Sequence, residues 1–201
     1  MRRLNLGLLI LVLLGLWLSG CAARRVVVPE TGLEFVTPKG QVLGVLDYNG
    51  KAGRLRLYNQ QGNPVAVLSG DENGGLLMVL NREGKSAGSL GAAKTGSRLV
   101  LHGQPGLGAA VLAGEKQGGV LRIFSPKGTM VGELKPDGAG GHLELNDDQY
   151  HPAVTLAVGK NGGGVSVYNH KSLGTGCLYS GEKTGICTLF DQKGKPAWMA
   201  P

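Results

Sequence analysis

The side chains able to do chemistry are few and far apart. The chain holds three cysteines, Cys21, Cys177 and Cys187, and four histidines, His102, His142, His151 and His170. Cys177 and Cys187 are close enough in sequence to close a small disulfide loop. Export would permit oxidation, and a loop of about ten residues stabilises by roughly 2–3 kcal/mol. The alternative is two free thiols packed in apolar positions. A metal site needs several converging ligands, and only His170 stands near the pair. No histidines show His-x-x-Glu-His or comparable spacing, and His102 falls in a column of mostly aromatic residues where packing is its expected role. Gly162-Gly163-Gly164 and Gly174-Thr175-Gly176 have the glycines of a phosphate loop, but that loop requires a strand before it and a helix after it. No segment here has helical period. The adjacent acids Asp71-Glu72 and Asp147-Asp148 fall in turns or connectors, where solvated carboxylates are usual. No catalytic constellation, metal site or cofactor is expected, so the chain reads as non-enzymatic.

Cys21 stands in a different context. Met1-Arg2-Arg3 precedes an almost wholly apolar run from Leu4 to Leu18, the charged and hydrophobic regions of an export signal. The run is short for a membrane-spanning helix, which needs roughly 20 apolar residues. Leu18-Ser19-Gly20-Cys21 follows, and this order of features resembles the lipobox of bacterial lipoproteins. The resemblance covers residues 1–21. It implies that residues 1–20 are removed as a signal peptide, that the Cys21 thiol carries a diacylglycerol, and that the new amine is acylated, with several chains anchoring stably where one binds marginally. Ala22, in place of the Asp linked to inner-membrane retention in Gram-negative members, implies an outer-membrane location. Residues 21–30 then form a lipidated N-terminus and short tether, and residues 31–201 the body.

Composition narrows that body. Glycine is 36 of 201 residues, against a usual share of about 7%. That disfavours helices, since each interior Gly costs roughly 1 kcal/mol relative to Ala. A hydrophobic share of 42% argues against disorder. Without Arg2 and Arg3, the 21 basic residues become 19 against 14 acidic, a balance of +5. The excess is spread thinly, with no concentrated basic face bearing stacking aromatics, so nucleic acid is not an expected partner. Envelope proteins, or anionic neighbours such as lipopolysaccharide phosphates or cell-wall polymers, fit better.

A period of 22 residues organises the body. Gly40, Gly62, Gly84, Gly106, Gly128 and Gly194 follow short polar triplets on one grid, and Tyr150 and Ser172 occupy the two remaining grid points. Six residues after the grid stand Leu46, Leu68, Leu90, Leu112, Leu134, Leu156, Leu178 and Ala200. Seven before it stand Leu33, Leu55, Leu77, Leu99, Leu121, Leu143, Val165 and Cys187. Asn, Asp or Ser three before the grid, with Gly on it, forms a type I turn closed by a residue at positive φ, the three-residue hairpin loop. Eight strand–turn–strand repeats follow, joined by Gly-rich connectors such as Gly74-Gly75 and Gly118-Gly119. Counting outward, Asn59 opposes Asn63, Leu57 opposes Val65 and Leu55 opposes Val67. Across the last connector Leu178 opposes Ile186 and Cys177 opposes Cys187.

The expected fold is all-β: eight repeats forming an antiparallel meander curled into a barrel, roll or prism, with a parallel β-solenoid as the alternative. Both faces are partly apolar, so an isolated flat sheet would aggregate unless it closed on itself or paired with other chains. In architecture alone the tandem hairpins resemble the repetitive sheet of spirochaete outer-surface lipoproteins, and in hairpin style the closed barrels of tubby-like proteins. The expected function is that of a membrane-anchored structural or protein-interaction module of the envelope. The alternative is a binder of glycan, lipid or cell-wall polymer that uses Tyr58 and Tyr168 on one face.

Overall fold

The computed structural model describes residues 27–104, 107–171 and 174–201. The lipobox with Cys21, and the grid residues Gly106 and Ser172, lie outside them. Sixteen strands follow one another: β1 (Leu33–Val36), β2 (Val42–Tyr48), β3 (Gly53–Tyr58), β4 (Pro64–Asp71), β5 (Gly74–Leu80), β6 (Ser86–Ala93), β7 (Gly96–Gln104) and β8 (Leu107–Glu115) form the first half. The second half is β9 (Gly118–Phe124), β10 (Met130–Asp137), β11 (Gly140–Asn146), β12 (Pro152–Gly159), β13 (Gly162–Tyr168), β14 (Gly174–Ser180), β15 (Gly185–Phe190) and β16 (Pro196–Ala200). They form one sheet whose spatial order is the chain order. Each consecutive pair is antiparallel, as in Leu55↔Leu68 and Leu68↔Leu77. A parallel solenoid would stack Leu57 on Val79; instead Ala66 stands between them as the partner of both. The sheet is not closed: β1 and β16 each pair on one side only.

Two kinds of joint alternate. At the tight turns the Asn59 N–H donates to the Asn63 carbonyl and the Gly62 N–H to the Asn59 carbonyl. The Asn59 side-chain oxygen also accepts the Gln61 and Asn63 N–H groups. Gly40, Gly62, Gly84, Gly128 and Gly194 have φ of 81°, 79°, 78°, 84° and 73°, the left-handed region glycine enters without steric cost. Tyr150 takes the same conformation at φ 70°. The Asp147 carboxylate braces that turn by accepting from the Gln149 and His151 N–H groups.

The other joints are two-residue turns. Glu72-Asn73 lets Asp71 face Gly74, and Glu182-Lys183 is closed by the Gly181 N–H donating to the Thr184 carbonyl. Glycine after the turn is a packing requirement at Gly162, where a Cβ would collide with the Ser180 carbonyl oxygen.

These joints correct the expected pairing by one residue. Beyond each tight turn one residue of the returning strand has no partner: Val65 is skipped as pairing passes from Tyr58↔Pro64 to Leu57↔Ala66. The same β-bulge recurs at Leu43, Ala87, Ala109, Val131, Ala153, Thr175 and Ala197. Leu55 therefore opposes Leu68 instead of Val67. The two-residue connector makes the matching change, so Leu178 opposes Cys187, and Cys177 opposes Thr188. Cys177 and Cys187 consequently point to opposite faces of the sheet. The expected disulfide is not formed, and both thiols are free.

A left-handed conformation favours glycine, and the turns make that testable. Gly84→Val should cost about 1–2 kcal/mol, whereas Glu83→Val, one residue away, should be nearly silent. Tyr150→Gly should act in the opposite sense and stabilise by about 0.5–1 kcal/mol, because it relieves a tyrosine at positive φ. Urea melts of the three variants measure all three signs.

Candidate interaction surface

The corrected register sorts the side chains into two unlike faces. On one, the two leucine columns merge into a single row crossing the whole sheet. It begins Leu33, Leu46, Leu55, Leu68, Leu77, Leu90, runs through Leu99, Leu112, Leu121, Leu134, Leu143 and Leu156, and ends Val165, Leu178, Cys187, Ala200. Two residues along each strand lies a second row on the same face. There a large residue on every odd-numbered strand alternates with a smaller one on its even-numbered neighbour: Phe35 and Gly44, Leu57 and Ala66, Leu101 and Ala110, Ile123 and Gly132. The alternation lapses at Val154 and at Trp198.

Among the described residues no second layer covers this face; substantial packing joins only consecutive strands. Nine leucines of the first row remain between 36% (Leu121) and 58% (Leu178) exposed. The eight second-row residues on odd-numbered strands remain between 42% and 52% exposed. An apolar surface this continuous exceeds what soluble monomers usually show.

The opposite, polar face mixes charged and polar side chains with apolar ones such as Val67, Met78 and Phe124, and is better covered. All six described residues in the buried class with a hydrophobic, polar or charged side chain belong to it: Val45, Val111, Val120, Glu133, Asn146 and Thr188. Two ionic clusters stand there. In the first, Arg54 donates from Nε and Nη2 to the two carboxylate oxygens of Asp47 at 3.0 and 2.9 Å. Arg56 adds a third bond at 2.6 Å and stacks its guanidinium 5.8 Å from the Tyr58 ring centroid. The Arg54 guanidinium above all holds the Asp47 carboxyl below its ordinary range. In the second cluster, Arg122 bridges Glu115 and Glu133, both at 2.8 Å, and the Lys135 ammonium reaches Glu133 at 2.6 Å. Burial pushes the Glu133 carboxyl up, but Lys135 and Arg122 together outweigh it and hold the group low.

The other polar residues singled out in the sequence do not converge. His102 is half-buried on this face, and its Nδ1 has no hydrogen-bond partner. His142 lies 3.6 Å from Glu144, and His151 lies 3.1 Å from Asp147. Tyr58 and Tyr168 are half-buried, with the Tyr168 hydroxyl 3.3 Å from Thr155 Oγ1. Asp71, Asp147 and the Gly162–Gly164 run serve turns and strand pairing. Among the described residues no three His, Cys, Asp or Glu side chains are grouped to hold a metal. No helix among them is long and apolar enough to cross a membrane. The ionic clusters went unread in the sequence because Asp47 faces Arg54, and Arg122 faces Glu133, only in the corrected register.

Glu133 links this face to acid stability. Its carboxyl titrates lower in the folded chain than in the unfolded one, so its contribution is complete above the ordinary carboxylate range and disappears as pH falls through the folded value. Glu133→Gln should cost about 1–2 kcal/mol at neutral pH, a modest figure because Arg122 and Lys135 are partly solvated. The gap to the unsubstituted chain should close below about pH 4. Denaturant melts across pH measure it; a gap independent of pH would assign the loss to packing. No protein-family model and no curated protein sequence matches this chain.

Proposed function

We propose that this chain is a non-catalytic, lipid-anchored protein of the bacterial envelope that acts as a structural or protein-interaction repeat module. The single observation carrying the reading is the uncovered leucine face, sixteen strands wide. An apolar surface of that extent is a cost in water and a resource in an assembly, and tandem repeats characteristically build extended surfaces of this kind. The Leu18-Ser19-Gly20-Cys21 sequence supports the envelope location, and Ala22 supports the outer membrane. Lipid at Cys21 holds the sheet at the membrane through the tether of residues 21–30.

A second reading, a binder of glycan, lipid headgroup or cell-wall polymer, rests on the polar face. Arg56 Nε, His102 Nδ1 and Asn146 Oδ1 are buried there without a hydrogen-bond partner. An open recess of about 560 Å³ lies beside Glu34, Gln41, Arg56, Tyr58 and Gln61. Crosslinking in whole envelopes separates the two readings: protein adducts through the leucine face support the module, and co-purifying glycan or lipid displaced by Arg56→Ala supports the binder.

Anchoring is tested independently. Cys21→Ser should leave an unprocessed or soluble chain, because the thioether lipid is the stable membrane attachment once the signal is removed. Detergent phase partitioning and mass spectrometry of the mature N-terminus report it. A processed N-terminus without lipid would overturn the anchor.

A further inference from the structure

The relief of the leucine face specifies its occupant. We propose that two copies of this chain pack leucine face to leucine face about a twofold axis that runs parallel to the strands between β8 and β9. The proposal rests on the interaction-module reading and names its partner.

The argument is one of strand parity. In the second row the large residues stand on odd-numbered strands, and the small ones on even-numbered strands. A twofold axis along the strands reverses strand order, so strand n of one copy faces strand 17 − n of the other. Because the strand count is even, every odd strand meets an even one. Ile123 on β9 meets Ala110 on β8, Leu101 on β7 meets Gly132 on β10, and Leu57 on β3 meets Gly176 on β14. The second row is thus its own complement, as a twofold interface requires, while in the first row leucine meets leucine, as Leu112 on β8 meets Leu121 on β9. The lapses in alternation fall where Val79 on β5 meets Val154 on β12, a pair of middling size, and at the rim, where Phe35 meets Trp198.

The area suffices. Sixteen strands at a spacing of about 4.8 Å give a face roughly 75 Å wide, and two rows with their flanks about 14 Å high, so roughly 1,000 Å² per copy. A standard interface takes about 800 Å² per partner, which the full face exceeds, and half of it engaged still reaches the roughly 1,000 Å² total that is the floor for a biological interface. Both sheets carry the same twist and align within about 30°, as sheets in a sandwich do. The ionic clusters on the opposite faces stay in water. Within the sheet the large side chains already lean over the small ones, Leu57 Cδ2 lying 3.2 Å from where a Gly44 Cβ would stand; across the interface the same alternation gives a second copy a fit that a bilayer does not need.

The free cysteines supply the test. Cys187 occupies the leucine row on β15, where it faces Leu46 on β2 of the second copy, near the rim and within reach of a small reagent. In full-length chain carrying Cys177→Ser, in the bacterial envelope, a short bismaleimide should give abundant crosslinked dimer with Leu46→Cys. Val45→Cys, on the polar face, should give at least tenfold less. Gly132→Leu should cut the Leu46→Cys yield about tenfold, and adding Leu101→Ala should restore it. Within one chain a Cβ at Gly132 meets only ordinary contacts, the nearest being Leu145 Cδ2 at 3.5 Å. Restoration therefore reports the facing pair, and not a folding defect. Equal yields from Leu46→Cys and Val45→Cys, or failure of Leu101→Ala to restore, would overturn the dimer. A Leu46→Cys adduct to a different protein would overturn it too, while leaving the interaction-module reading intact. A Leu46→Cys thiol shielded from aqueous maleimide without any protein adduct would place the face in lipid and overturn both.

Discussion

Side chains on a strand alternate between faces, so a slip of one residue in pairing exchanges every side chain from one face to the other. All else in this sheet depends on how its joints settle that parity. The positions seven before and six after each turn residue are leucine nearly throughout. A three-residue loop alone would place them on opposite faces. The bulge beyond each tight turn absorbs one residue, and the two-residue connector preserves the result into the next repeat. Bulges also bend and twist the bulged strand, and here they all lie at the tight-turn end of the sheet. One recurrent irregularity therefore turns two separated columns into one apolar row and leaves the ionic clusters together on the other side.

The price of that arrangement is a protein with hardly any interior. Val45, Val111 and Val120 are the described hydrophobic side chains that reach the buried class. Cohesion comes from backbone ladders and from lateral contact along rows, each strand supported by its two neighbours, in the nearest-neighbour manner of repeat proteins. A leucine half exposed realises only part of the roughly 1.5–3 kcal/mol that full burial provides, leaving about 1 kcal/mol unrealised. Nine leucines and eight second-row residues are in that condition, and the remaining gain is realised only against a surface that fits them closely.

The 22-residue period, the strand–turn–strand unit, the antiparallel order and the tight-turn conformation were legible because each rests on local chemistry: Asn59 with Gly62, or Ser125 with Gly128, declares its turn. Tyr150 shows the limit of that legibility, since the turn survives without its glycine when Asp147 supplies the bracing hydrogen bonds. The bulge was not legible locally, because Val65, Ala87 and Thr175 share no chemistry that announces an unpaired position. It had a global signature all the same: only a one-residue correction sets leucine against leucine from β1 to β12. The expected Cys177–Cys187 bond failed for the same reason, since its geometry inherited the uncorrected count.

The two faces also differ in how much they vary from repeat to repeat. Along the polar face, one row reads Val45, Arg56, Val67, Met78, Ser89, Val100, and further on Arg122, Glu133, Glu144, Thr155. Charge, size and polarity change freely there, as they do where each side chain answers only to its immediate neighbours. The leucine row one residue away scarcely changes across the same strands. Lateral packing accounts for part of the second row, where a Cβ at Gly44 would fall 3.2 Å from Leu57 Cδ2 and one at Gly88 3.4 Å from Leu101 Cδ2, but the leucine row holds no such small–large fit. The uniform row answers to something that repeats along the whole face at the spacing of the strands. A globular protein bound at one place would constrain a few strands, and a bilayer would constrain hydrophobicity without distinguishing Leu57 from Ala66. A second sheet of the same repeat constrains every strand, and constrains odd and even strands differently, which is the pattern the face carries.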